Sequence, residues 1–174
     1  MNPVTPAMVR CPHCGAQVPC PPNAPDALQP GYVLNNRFLI GRAIGRGGYG
    51  ITYIAYDRRL LVVRCIKEYF PKGYRRNPDM SPLVPPDREA DFRLHANRFL
   101  QEARIMSAMT EKKVDNVVAV MDQLDLNGTT YILMEYLDGC SMDQWLGYQQ
   151  RALGWREAKA TMMTVLKADR KAHV

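Results

Sequence analysis

Apolar positions repeat along this chain with two periods, and the change of period divides it. Over residues 37–44, 51–56 and 62–68, β-branched and aromatic residues form short runs, the second closed by Asp57-Arg58-Arg59. Runs of this kind predict strands. Over residues 91–110 the spacing changes: Phe92, Ala96, Phe99, Ala103 and Met106 recur at steps of three and four. That is the single apolar stripe of an amphipathic helix. Two further strands are predicted over residues 117–122 and 130–135, joined by a turn at Asn127-Gly128, a strong hairpin signal between apolar runs. Ser141-Met142-Asp143-Gln144 reads as a capping box that opens a short helix. Residues 155–173 read as another helix, with Ala158, Met162, Val165 and Ala172 on one face. Between the third strand and the long helix, residues 69–89 carry Pro71, Pro78, Pro82, Pro85 and Pro86, which argue for an irregular loop. Pro21, Pro22, Pro25 and Pro30 predict a short extended linker ahead of the first strand. The predicted fold class is α+β: a five-stranded antiparallel sheet, one long helix, then two more helices.

Chemistry enters at the turn between the first two strands. Gly45-Arg46-Gly47-Gly48-Tyr49-Gly50 places glycines where a backbone can approach phosphates without a side chain in the way. A dinucleotide-binding loop would open a helix at once. Here the run opens a strand, so it is either a phosphate-covering hairpin or a plain glycine-rich one. The third strand adds Lys67. Side chains alternate along a strand, so Cys65 and Lys67 share one face and Arg64 and Ile66 the other. Lys67 lies on the face beneath the hairpin if that face lines a cleft, and is an ordinary surface lysine otherwise. Glu102 flanks the helix stripe, three residues after Phe99 and four before Met106. It is placed either to meet Lys67 across a cleft or to sit in solvent on the helix flank.

In this order and spacing, these motifs resemble the amino-terminal lobe of a bacterial-type (Hanks-type) serine/threonine protein kinase. The resemblance runs from about Leu28 to the last residue and includes Gly128-Thr129-Thr130-Tyr131-Ile132-Leu133-Met134-Glu135-Tyr136-Leu137-Asp138-Gly139. It implies a lobe over residues 31–137, with a hinge and the start of a second lobe over residues 138–174. It also implies ATP as the ligand, held by Ile44, Gly45, Gly47, Gly48, Tyr49, Gly50, Thr52, Cys65, Lys67, Glu102, Met134, Glu135 and Leu137. By resemblance, the glycines cover the triphosphate, Lys67 binds its α- and β-phosphates and Glu102 holds Lys67. Met134 sets the depth of the adenine pocket, and Glu135 and Leu137 offer backbone hydrogen bonds to adenine. Three departures stand out. Thr52 replaces the usual Val and Cys65 the usual Ala, both toward adenine, and Arg64 replaces a Val on the outer face, where it should be harmless. The larger departure is that no His-Arg-Asp and no Asp-Phe-Gly occurs, and the histidines are His13, His95 and His173. Those motifs supply the catalytic base and the magnesium ligands of the family. The expectation is a domain truncated before its catalytic loop. It should bind ATP, need the missing lobe for magnesium, and be inactive alone in phosphorylating protein Ser or Thr.

Composition narrows the alternatives. At 174 residues, 47% hydrophobic and 23% charged, the chain is ordinary globular material for one domain. No stretch reaches the ~20 apolar residues that span a membrane, and no signal-peptide pattern opens it, so a cytoplasmic location is expected. The net charge of +6 concentrates over residues 57–76, with seven basic residues against two acids. A nucleic-acid patch is the alternative, but Tyr69, Phe70 and Tyr74 do not make the interleaved stacking series that single-strand binders use, so a solvated loop is the reading and no nucleic-acid partner is expected. Residues 1–30 form a Cys/Pro-rich leader. Cys11-Pro12-His13-Cys14 has metal-ligand spacing and Cys20 follows, giving three candidate zinc ligands where a structural site takes four. Reduced thiols in a disordered leader fit the same residues, and five cysteines without a secretory signal do not read as a disulfide framework. Two rivals to the kinase reading remain: a pseudokinase-like fragment that binds a nucleotide or a partner, and a zinc-dependent nucleic-acid module.

Overall fold

The computed structural model describes residues 22–149 and 152–172. Its elements follow in order: β1 Val33–Leu34, β2 Phe38–Arg46, β3 Gly50–Asp57, β4 Val62–Tyr69, β5 Arg75–Arg76, β6 Pro82–Leu83, a 3₁₀ turn at Pro86–Arg88, α1 Glu89–Glu111, β7 Val120–Leu126, β8 Thr129–Glu135, α2 Met142–Gln149 and α3 Trp155–Ala172. The main sheet is antiparallel in the order β1-β2-β3-β4-β8-β7. It therefore has six strands, not five. The extra one, β1, pairs only Val33 and Leu34 with β2, too few residues for a period to show. β3 and β4 pair without interruption from Gly50 opposite Tyr69 to Asp57 opposite Val62. β2 instead bulges twice against β3, between Ile40 and Ala43 and between Ala43 and Gly45. A bulge bends a strand and sharpens its twist, so β2 changes direction just before the glycine turn.

The alternation along β4 separates two cores. On the outer face, Phe38, Ile40, Tyr53, Ile66, Phe70, Tyr131 and Leu133 pack together with Ala27 and Leu28. On the inner face, Cys65, Tyr69, Ile132 and Met134 pack against Phe92, Phe99 and Ala103 of α1. Three residues of the helix stripe are thus seated in this core, with Ala96 at its margin and Met106, at the far end, half-buried outside it. The turn at Asn127 (φ 50°) and Gly128 (φ 64°) closes the β7–β8 hairpin in the left-handed conformation that an Asn-Gly pair tolerates. β7 runs over Val120–Leu126, three residues later than its apolar run suggests, and Asp122, Gln123 and Asp125 are exposed along it at the sheet edge.

Two stretches expected to be irregular are packed instead. Ala27 and Leu28 are buried, so the proline-rich segment before β1 is part of the lobe and not an extended linker. Residues 69–89 include the small β5–β6 hairpin, which delivers Arg76 to the outer face. There Glu68 is fully buried, and four charge-assisted hydrogen bonds converge on it. Arg76 donates to Oε1 at 2.9 Å and to Oε2 at 2.8 Å. The Tyr53 and Tyr131 hydroxyls donate at 2.7 and 2.9 Å. Burial next to that carboxylate pushes both tyrosine hydroxyls far above their ordinary pKa, so they remain donors. Arg76 also donates to the carbonyls of Asp26 and Met80 and stacks 4.2 Å above the Phe70 ring. The proline-rich composition of this segment hid a fixed arginine, since Pro and Arg in a loop look the same whether solvated or packed. Arg64, on the same face, is less free than its position suggested: its Nε is buried without a hydrogen-bond partner.

Candidate functional site

The glycine turn closes on itself through the Gly47 N–H, which donates to Gly50 O at 2.9 Å. The chain beyond β4 holds the tip, with Phe70 N–H donating to Tyr49 O and Lys72 N–H to Gly48 O. Below the tip lies a cavity of about 440 Å³, lined by residues 45–50, Thr52, Lys67 and, from α1, His95, Arg98, Phe99 and Glu102. Sheet register and helix period meet here. Thr52 lies opposite Lys67, and Lys67 opposite Ile132, so all three face inward. On α1, His95, Arg98, Phe99 and Glu102 are spaced by three, four and seven, one helical face.

Lys67 Nζ lies 3.9 Å from Glu102 Oε2 and 5.2 Å from the centre of the Phe99 ring. The lysine side chain is 33% exposed and the glutamate 68%, so the pair is open to water. Such a pair orients a side chain more than it stabilises a fold. The lysine is therefore not spent on a buried partner. With Arg98 and Arg46 it makes the charged groups of the cavity wall mostly cationic, and Glu102 is the only carboxylate among the described residues that line it. An anion of high charge density suits such a wall.

Beyond Lys67 the inner face turns apolar. Cys65 and Met134 lie opposite each other and are buried, with Tyr136, Val118 and Val120 around them. Burial pushes the Cys65 thiol up to about 11, even though nearby Lys67 pulls it down, so Cys65 stays a neutral thiol. At the end of β8, Glu135 is tied to the loop before β7: its N–H donates to Ala119 O and its carboxylate accepts from Ala119 N–H. With its N–H committed, Glu135 is left only its carbonyl for a base. Leu137 and Ile44 are exposed. Thus the structure gathers the glycines, Tyr49, Thr52, Lys67 and Glu102 around one cavity. Ile44, Cys65, Met134, Glu135 and Leu137 lie outside its lining.

Arg46, His95, Arg98 and Phe99 were not named as site residues from the sequence, where Phe99 was read only as part of the helix stripe, although three of them follow from Glu102 by helical spacing. His95 stacks on Tyr49, with ring centres 5.1 Å apart and planes 23° apart, while its Nδ1 bonds Asp91 O. The tip of the glycine turn therefore rests on α1. The candidate zinc ligands Cys11, Cys14 and Cys20 lie outside the described residues. Among the described residues, no group of three or more His, Cys, Asp or Glu could hold a metal ion.

No protein-family model matches the chain. Among curated proteins, it is 27% identical over 150 residues to the probable serine/threonine-protein kinase PknB of Lactococcus lactis subsp. lactis (strain IL1403), covering 84% of this chain and 20% of that protein. A probable serine/threonine-protein kinase of Clostridium perfringens (strain 13 / Type A) is 27% identical over 146 residues, covering 82% and 18%. The chain thus spans about a fifth of the length of these relatives. Among solved structures, the one titled PpkA-294 apo form is 33% identical with a TM-score of 0.65, over 71% of this chain and 43% of that one. The kinase domain of Mycobacterium tuberculosis PknI, at 22% identity and a TM-score of 0.59 over 84% and 51%, agrees in fold.

Proposed function

We propose that this chain, a relative of bacterial serine/threonine protein kinases with the fold of their amino-terminal lobe, binds the phosphates of ATP between its glycine turn and Lys67. The observation that carries this reading is the single cavity that holds the glycine turn, Lys67 and Glu102 together. The residues suit the ligand. A Cβ on Gly48 would meet nothing within 4 Å, so the turn offers open backbone to a polyanion. Lys67 supplies the charge, and Glu102 keeps it pointed inward. Cys65 and Met134 supply an apolar floor for a base, where a neutral thiol does not repel the ring.

In a complete kinase, ATP supplies the phosphoryl group that passes to a protein Ser or Thr. These 174 residues contain no His-Arg-Asp and no Asp-Phe-Gly. The cavity also presents one carboxylate, too few for the metal pair of the family. The role proposed for these residues is therefore to bind and orient ATP, without transfer by this chain alone. A ligand that binds only the folded state raises its melting temperature by mass action. ATP should raise that of the wild-type chain and leave Lys67→Met nearly unmoved, as read by thermal unfolding with and without nucleotide. An equal rise in both proteins would overturn the assignment of Lys67. No rise in the wild type up to millimolar ATP would overturn the reading itself.

A further inference from the structure

The segment ahead of β1 reaches the glycine turn. It is anchored in the outer core at Leu28, whose N–H donates to the Tyr53 hydroxyl at 3.0 Å. Arg76 binds it again through two bonds to Asp26 O, at 3.2 and 2.9 Å. From that anchor two side chains extend along β2. Asn23 Oδ1 accepts from Ala43 N–H at 2.8 Å, and Asn23 Nδ2 donates to Gly41 O at 3.1 Å and to Leu28 O at 2.7 Å. Asp26 Oδ2 pairs with Arg46 at 2.5 Å. Gly41 and Ala43 fall where β2 loses register with β3, so the bulges free backbone groups that a neighbouring strand would otherwise take. One amide side chain fills both vacancies as a missing strand would. Arg46 lies inside the glycine turn and lines the cavity.

We propose that residues 23–28 form a strap that fixes the position of the glycine turn above Lys67, with Asn23 and Asp26 as positioning residues for the phosphates. The inference rests on the nucleotide reading above and deepens it. The strap touches the arm that leads into the turn, while Phe70 and Lys72 hold the tip from the opposite side. With the strap slack, the bulged arm of β2 is held from one side only. The turn then samples more positions, and the cost of ordering it falls on the ligand. Only the phosphates sit under the turn, so a base without phosphates should not sense the loss.

The test compares the full chain with Asn23→Ala, Asp26→Asn and the conservative Asp26→Glu, titrating each with ATP and with adenosine. In parallel, hydrogen exchange is read at the Ala43 amide and at residues 45–48. Losing the two Asn23 bonds to β2 should weaken ATP roughly fivefold, given the usual worth of a hydrogen bond. Adenosine affinity should not change, exchange at Ala43 and in the turn should speed up, and amides of β4 should stay protected. Asp26→Asn should show a smaller loss in the same direction, which Asp26→Glu recovers. Asp26 and Arg46 are partly exposed, so those variants fold even where Asn23→Ala does not. Unchanged ATP affinity together with unchanged exchange in the turn would overturn the strap. So would a loss shared equally by adenosine and by β4 protection, which marks a general loosening of the lobe. Should the wild type bind neither ligand, the nucleotide reading fails, and turn exchange alone decides whether the strap holds the loop.

Discussion

At the scale of single residues, the charged groups sort by burial, and burial decides what each does. Glu68 and Lys67 are neighbours on β4 but face opposite ways. Glu68 is sealed in the outer core with Arg76, and removing one partner of such a pair strands the other charge. Arg76→Ala should therefore cost about 3–5 kcal/mol in urea unfolding. The open Lys67–Glu102 pair contributes about 0–1 kcal/mol, so Glu102→Gln should unfold with the wild type. Asp57 tests pH. Arg37 binds its carboxylate in a fork, and the turn N–H groups of Leu60 and Arg59 add to that, holding it below the ordinary carboxylate range. A depressed pKa contributes stability that is present above the ordinary value and lost as pH falls through the folded one. Melting temperatures taken from pH 7 to pH 3 should fall less steeply for Asp57→Asn than for the wild type, because the variant lacks that stability at neutral pH. Parallel curves would show that the fork adds nothing. Period placed Lys67 on a strand face and Glu102 on a helix flank but left each open to solvent; only the motif order, through the resemblance, paired them, and they lie 3.9 Å apart. Arg76 was not legible, because its partner is fixed by tertiary packing and not by any local spacing.

At the scale of elements, the glycines of the turn serve two masters. A Cβ on Gly50 would lie 2.5 Å from Glu68 O, a backbone atom of the paired strand that cannot step aside. Gly50 is thus required by the close approach of β3 to β4, whatever the turn binds. Gly48 has open space around it. Gly50→Ala should destabilise the chain by about 1–3 kcal/mol, as overpacking does. Gly48→Ala should fold normally and alter only nucleotide binding. Thermal unfolding separates the two, and equal stability would contradict the close approach. Elements with several repeats of a clean period were readable: β2, β3, β4, β8 and α1 all stand near their predicted bounds. Those of two residues, β1, β5 and β6, carry no period to read. The start of β7 was missed because Val117 and Val118 look like strand while the pairing with β8 is set from the turn at Asn127 and Gly128.

At the scale of the molecule, the lobe owes its shape to two cores on either side of one sheet, and its cavity to the gap between the sheet and α1. Alternation and stripe imply both cores. The straps over residues 23–28 and 70–83 do not announce themselves, since they are held by scattered tertiary contacts, such as buried Leu28 and the Arg76–Glu68 pair, in proline-rich sequence. Beyond β8, α2 and α3 carry no buried residue among those described, and Trp155, Met162, Val165 and Leu166 are exposed. No described helix is long and apolar enough to cross a membrane. The central claim is that this lobe holds ATP by its phosphates through Lys67, with Glu102 setting the lysine. Calorimetric titration of ATP into the wild-type chain, Lys67→Met and Glu102→Gln tests it most directly. The account predicts measurable binding to the wild type, a larger loss for Lys67→Met and a smaller one for Glu102→Gln at unchanged folding stability. Wild-type binding that neither substitution alters would contradict it.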